Sequence, residues 1–99
     1  MRVMVIMKAT KGTESGQIPT TDEMDAMIRF HEESVNAGIL VAADGLLPSS
    51  QGARIEFSGA EPRVIDGPFT ETKELVAGYW ILQVKSLAEA VAWAKRLPN

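Results

Sequence analysis

Hydrophobic and polar positions fall into blocks along this chain, and the period within each block names an element. Residues 3–7, Val-Met-Val-Ile-Met, are a continuous apolar run of strand length, as expected of a strand covered on both faces. TKGTESGQIP follows; it is polar, broken by Gly12, Gly16 and Pro19, and reads as a loop. A helical period then begins. Thr20 and Glu23 have capping-box spacing, Asp22 and Glu23 suit the positive end of a helix dipole, and Gly38 supplies a left-handed stop after about Ala37. At helical spacing Met24, Met27, Ile28, His31 and Val35 share one stripe, so this face is predicted to pack inward.

ILVAADGL predicts a second strand ending at Asp44-Gly45, and PSSQG turns the chain. ARIEFS sets Ile55 and Phe57 against Arg54, Glu56 and Ser58, the alternation of a half-exposed strand, and RVID completes a hairpin with it. VAGYWILQV is apolar on both faces, with Tyr79 and Trp80 pointing to opposite sides. Ser86 and Glu89 repeat the capping spacing. Leu87, Ala90, Val91, Ala94 and Leu97 then form the stripe of a second helix that Pro98 ends.

The order β-α-β, hairpin, β-α describes an α+β, ferredoxin-like domain: an antiparallel sheet with two helices on one face. That fold usually closes with a last strand beside the first. No such pattern follows the second helix, so the last strand is expected to be missing and the first strand to keep an open apolar edge.

Length and charge narrow the picture. Ninety-nine residues predict one domain, residues 1–99, burying only roughly 60–65% of its unfolded surface, so association with a second copy would help it. Net charge is −3 and the ten Lys and Arg are scattered, adjacent only at Lys95-Arg96, which argues against a nucleic-acid partner. There is no cysteine, hence no disulfide, thiolate nucleophile or Cys-based zinc site. The apolar run near the N-terminus is shorter than the ~7–15 residues of a signal-peptide core and the ~20 of a membrane span. A cytoplasmic protein without membrane contact is expected.

IDGPFTETKELVAGYW, together with NAGILVAADGLLPSS and VKSLAEAVAWAKRLP at matching intervals, resembles the DGPF-domain branch of the YCII-related proteins over nearly the whole chain. The resemblance implies a dimeric α+β barrel, two ferredoxin-like sheets facing each other across a shared interior. It implies a homodimer, a largely unassigned activity, and genes often placed near extracytoplasmic-function sigma factors. A related enzymatic branch uses a His on the first helix and an Asp just before the Pro ending the second. Those positions are Met27 and Leu97 here, and neither exchanges a proton. His31, one helical turn beyond Met27, could face a similar space.

The Asp-Gly-Pro-Phe stretch carries the remaining chemistry. An Asx-turn from Asp66 to the residue two on is excluded, because Pro68 has no N–H. A structural reading therefore takes the Asp66 oxygens to backbone N–H groups of residues 69–71. Gly67, before a proline, is kept out of the right-handed helical region and is free to take positive φ. Phe69 would anchor the turn by burial, and Lys73 with Glu74 would form a solvated turn. A functional reading instead gathers Asp66, Asp44 and His31 at a pocket mouth. His31 and Asp66 are then catalytic candidates for acid–base work, with Asp44, Phe69 and Tyr79 as ligand-binding candidates. The same trio could hold a divalent cation, but no metal is expected: HEESV lacks the second His of a zinc-protease motif. No P-loop, GxSxG or dinucleotide fingerprint occurs, so no cofactor is expected. Trp93 stands off its helix stripe, as a partner contact or a partly buried core residue. Two functions stay open: a binder or converter of a small molecule near His31 and Asp66, or a non-catalytic regulatory module linked to sigma-factor-type transcription control.

Overall fold

The computed structural model describes residues 1–71 and 74–98; Lys73, expected in a solvated turn, lies outside the described residues. The order is β1 (Arg2–Lys8), α1 (Lys11–Glu14), α2 (Thr21–Asn36), β2 (Leu40–Gly45), β3 (Ala53–Glu56), β4 (Arg63–Asp66), β5 (Val76–Gln83) and α3 (Leu87–Ala94). β1, β5 and β2 form a three-stranded sheet in the order β1-β5-β2, and β3 pairs with β4. This is a mixed α+β architecture with antiparallel sheets, and the sheet order is that of a ferredoxin-like domain with β1 at an edge. No helix among the described residues is long and apolar enough to cross a membrane.

Packing divides the chain into two compact units. One comprises Met1–Ile6, Ile18–Asp44 and Tyr79–Asn99; the other comprises Met7–Gln17 and Gly45–Gly78.

In the first unit α2 begins where the sequence predicts. The Thr20 hydroxyl accepts the Glu23 N–H at 3.2 Å, and Gly38 follows the helix with φ +72°. The rotation of α2 differs from the predicted stripe. Its inward line is Ala26 and Met27, then Phe30 and Ser34, with Phe30 only 2% exposed. Met24, Ile28, His31 and Val35 face outward instead. Phe30 wins because its ring is large enough to reach two indoles. It meets Trp80 of β5 edge-on at 5.7 Å and Trp93 of α3 at 6.2 Å. Such pairs contribute about 0.5–1.5 kcal/mol each beyond area burial. Trp93 is therefore a half-buried core residue. α3 shows the same rotation: Ala90 is buried, while Leu87 and Val91 of the predicted stripe are exposed.

The Trp80 contact settles which face of the sheet the helices cover. Met1 and Val84 exchange reciprocal backbone bonds, the mark of an antiparallel hydrogen-bonded pair. Counting from there, Val3 and Val5 share the covered face with Leu82 and Trp80, whereas Met4 and Ile6 share the other with Ile81 and Tyr79. β1 is accordingly not covered on both faces: Met4 is 54% and Ile6 47% exposed.

In the second unit the segment read as a loop contains α1. Thr10 and Thr13 cap it reciprocally, the Thr13 N–H donating to the Thr10 hydroxyl at 3.1 Å and the Thr10 N–H to the Thr13 hydroxyl at 2.8 Å. The predicted hairpin is present with Ile55 opposite Val64 and Glu56 opposite Arg63, the last pair joined by a 3.2 Å ion pair. Its apolar residues are not half-buried as the alternation suggested. Ile55 and Val64 are exposed, and Phe57 is 82% exposed.

The rotation of α2 is testable with neighbouring residues. Phe30→Ala is expected to cost about 3–5 kcal/mol in denaturant unfolding, the range for a truncated core aromatic. His31→Ala, one residue on, should stay within about 0.5 kcal/mol of wild type, as an exposed substitution does. Equal effects would contradict the observed rotation.

Candidate functional site

Two clusters carry polar groups in defined geometry, one in each unit. The first lies on the sheet face that the helices leave open. Asp44, at the end of β2, accepts a 3.1 Å hydrogen bond from the Tyr79 hydroxyl of β5. Alternation along β5 puts Tyr79 on the side opposite Trp80, beside Ile81 and in line with Met4 and Ile6 of β1. The result is a polar pair beside apolar Met4, Ile6 and Ile81, with Arg2 and Gln83 at one end of the same face. The hydrogen bond to Asp44, then the Asp44 charge, then partial desolvation, raise the Tyr79 phenol above its usual value of 10.0.

The second cluster is the Asp-Gly-Pro-Phe turn. Gly67 continues the hairpin ladder by donating its N–H to the Gly52 carbonyl at 3.0 Å. The Gly67–Pro68 peptide bond is cis. Since Pro68 has no N–H, the next donor is Phe69, and its N–H goes to the Ser49 hydroxyl at 3.0 Å. Ser49 is held in turn by Glu14 of α1: its hydroxyl donates to Glu14 Oε2 and its backbone N–H to Oε1 at 3.1 Å. The Phe69 ring lies under the Arg54 guanidinium, 4.0 Å from its centroid.

Two expectations about this turn are corrected. The Asp66 oxygens do not take N–H groups of residues 69–71; the Asp66 side chain is exposed and has no hydrogen-bond or ion-pair partner among the described residues. The acceptor role falls to Ser49 because its hydroxyl sits where the Phe69 N–H points. Gly67 is not at positive φ, which occurs at Gly16, Gly38 and Gly59. A glycine is still required. A methyl group at position 67 would lie 1.8 Å from the Ser49 carbonyl oxygen and 2.7 Å from its carbon.

Of the remaining candidates, His31 lies on the exposed side of α2, and its ring has no partner among the described residues. Its carbonyl accepts from the Ser34 hydroxyl at 2.9 Å. Asp44 and Tyr79 are brought together. No group of three His, Asp or Glu side chains among the described residues is arranged as metal ligands would be. Glu14 and Ser49 were missed by the sequence reading. The Thr10-x-x-Thr13 spacing signals a capped turn and would have placed Glu14 on a helix, but nothing local ties it to Ser49, 35 residues away.

Three measurements follow. Gly67→Ala should destabilise by about 1–3 kcal/mol through overpacking against Ser49 rather than through φ. Asp66→Asn should stay within about 0.5 kcal/mol of wild type in the same urea titration, since no bond is lost. Tyr79 is the chain's single tyrosine, so phenolate absorbance reads it alone. Its midpoint should lie above that of free tyrosine, and Asp44→Ala should bring it down. Because the folded-state value is raised, the pair's stabilisation is complete below the titration of an unfolded tyrosine, about 10, and is lost as pH rises through the folded midpoint.

Comparison with known proteins agrees with the fold. A family model described as the YCII-related domain matches residues 1–99. The chain is also 40% identical over 65 residues to an uncharacterized protein of Rhizobium meliloti (strain 1021), R00369, an alignment covering 66% of this chain and 52% of that protein. The chain thus spans about half the length of the curated relative it matches. The chain belongs to the YCII-related family.

Proposed function

We propose that this protein works as a homodimer whose two open sheet faces meet across a shared interior, and that the interior binds a small molecule anchored at Tyr79 and Asp44. The observation that carries this reading is the Tyr79–Asp44 hydrogen bond on the open sheet face, beside exposed Met4 and Ile6 and half-buried Ile81. Contiguous apolar surface of this kind marks association or ligand binding in soluble proteins. A few placed polar groups within an apolar lining are what orient a small ligand.

The chemistry of the pair restricts the ligand. The phenol O–H is engaged with Oδ2 of Asp44, leaving Asp44 Oδ1 and the phenol lone pairs as acceptors. A ligand bearing an N–H or O–H donor on an apolar body suits them. Binding through this pair is better supported than a reaction through His31 and Asp66. Those two side chains are exposed and have no partner among the described residues that would hold either in position for proton transfer.

A second reading rests on a separate observation, the exposed Ile55, Phe57 and Val64 of the hairpin unit. These favour a regulatory module that docks a protein partner, the kind of role in sigma-factor-type transcription control that the family resemblance implies.

Sedimentation at micromolar concentration should give a dimer. Ile6→Lys should shift it toward monomer, because a buried ammonium on the shared face is left unpaired. A thermal-shift screen of small amphipathic compounds should then find hits whose shift is lost in Tyr79→Phe. A folded wild-type monomer with no hits would sink the reading and leave the partner-docking alternative.

A further inference from the structure

On the helical side of the first unit lies a surface groove of about 350 Å³, lined by Ala26, Arg29, Phe30, Glu33 and Arg96. That volume is at the lower end of small-ligand sites, about 300–1,000 Å³. The groove belongs to none of the clusters above.

Its charged groups are arranged unequally. Arg96, just beyond α3, is fixed on two sides: Nη1 contacts Glu33 Oε2 at 3.2 Å, and the guanidinium lies 4.2 Å above the Trp93 ring. Held this way, Arg96 keeps further N–H donors that neither contact uses. Arg29 stands one helical turn before Glu33 on α2, yet it has no ion-pair or hydrogen-bond partner among the described residues. Ala26 is small enough to leave space over that turn, and the buried Phe30 ring closes the floor beneath it.

We infer that this groove binds a small monoanionic carboxylate with a flat or apolar body, its carboxylate held between Arg29 and Arg96. The planar guanidinium fork matches a carboxylate, and charge-assisted bonds of this kind are roughly twice as strong as neutral ones. Glu33 sets the charge preference. Two arginines and one glutamate leave a single net positive charge, which suits a monoanion, whereas a phosphate dianion would meet the Glu33 carboxylate at close range. Ala26 and the alkyl stems of the two arginines accept the apolar part, over a floor that Phe30 closes. Arg96 is pre-organised by its indole and its glutamate, so ordering it adds little to the cost of binding.

Isothermal titration with sodium benzoate tests this on the full chain. Saturable one-to-one binding is expected with a dissociation constant on the order of millimolar, as suits so small a ligand. Benzamide, of the same shape without charge, and inorganic phosphate should both bind more weakly. Arg29→Gln alters an exposed, unpaired side chain, so circular dichroism should match wild type while benzoate affinity falls about tenfold. Arg96→Lys keeps the charge but not the fork and should also lose affinity. No saturable benzoate binding, phosphate binding tighter than benzoate, or an Arg29→Gln protein that binds benzoate as well as wild type would each overturn the inference.

Discussion

Phe30 decides how the first unit is put together. Its ring is wedged edge-on against Trp80 and Trp93, joining α2 both to the sheet and to α3. Once that ring is inside, every other position on α2 follows from helical spacing. Ser34 comes in behind it, fully buried, with its hydroxyl returned to the His31 carbonyl. Ala26 and Arg29 are turned to the rim of the groove, and His31 is turned to solvent. The same contact assigns the faces of β5. With Trp80 against the helices, Tyr79 must point the other way, and the open face acquires its polar pair.

Periodicity found the elements and misjudged their rotation. Met24, Ile28 and Val35 are as apolar as any core residue, and with Met27 they make a tidy stripe. Phe30 lies roughly 120° round the helix from the centre of that stripe, and its ring buries more area than any one of those aliphatic side chains. A residue-by-residue count of apolar positions weights them equally, so it placed the stripe too far round the helix. The same flaw affects α3, where the alanines of the stripe pack close and Leu87 and Val91 remain outside. Caps were readable, because Thr20, Ser86 and Gly38 act within a few residues of themselves.

The Asp-Gly-Pro-Phe turn shows where local reasoning ends. The chain itself announces that Pro68 cannot donate, but the positive φ it suggests for Gly67 is not what makes a glycine necessary there. Which atoms meet the glycine and which acceptor serves Phe69 depend on Ser49 and on Glu14, 18 and 53 residues away by number. A carboxylate adjacent in sequence was the natural candidate for the acceptor, and proximity in sequence proved the wrong guide. A glycine can be required by a neighbour's carbonyl as firmly as by its own φ.

Nonlocal meetings of this sort also decide where chemistry can be. Ten basic residues with no run longer than Lys95-Arg96 carry no stripe in a linear reading, which argues against a polyanion surface. It does not exclude a small-anion site, which needs only two guanidinium groups at the right separation. Arg29 and Arg96 come to one groove because α2 and α3 both pack on Phe30, through its own helix in one case and through Trp93 in the other. Asp44 and Tyr79 meet because β2 and β5 are sheet neighbours. In each case the residue types were visible beforehand, and it is the sheet order and one aromatic wedge that turn them into pairs.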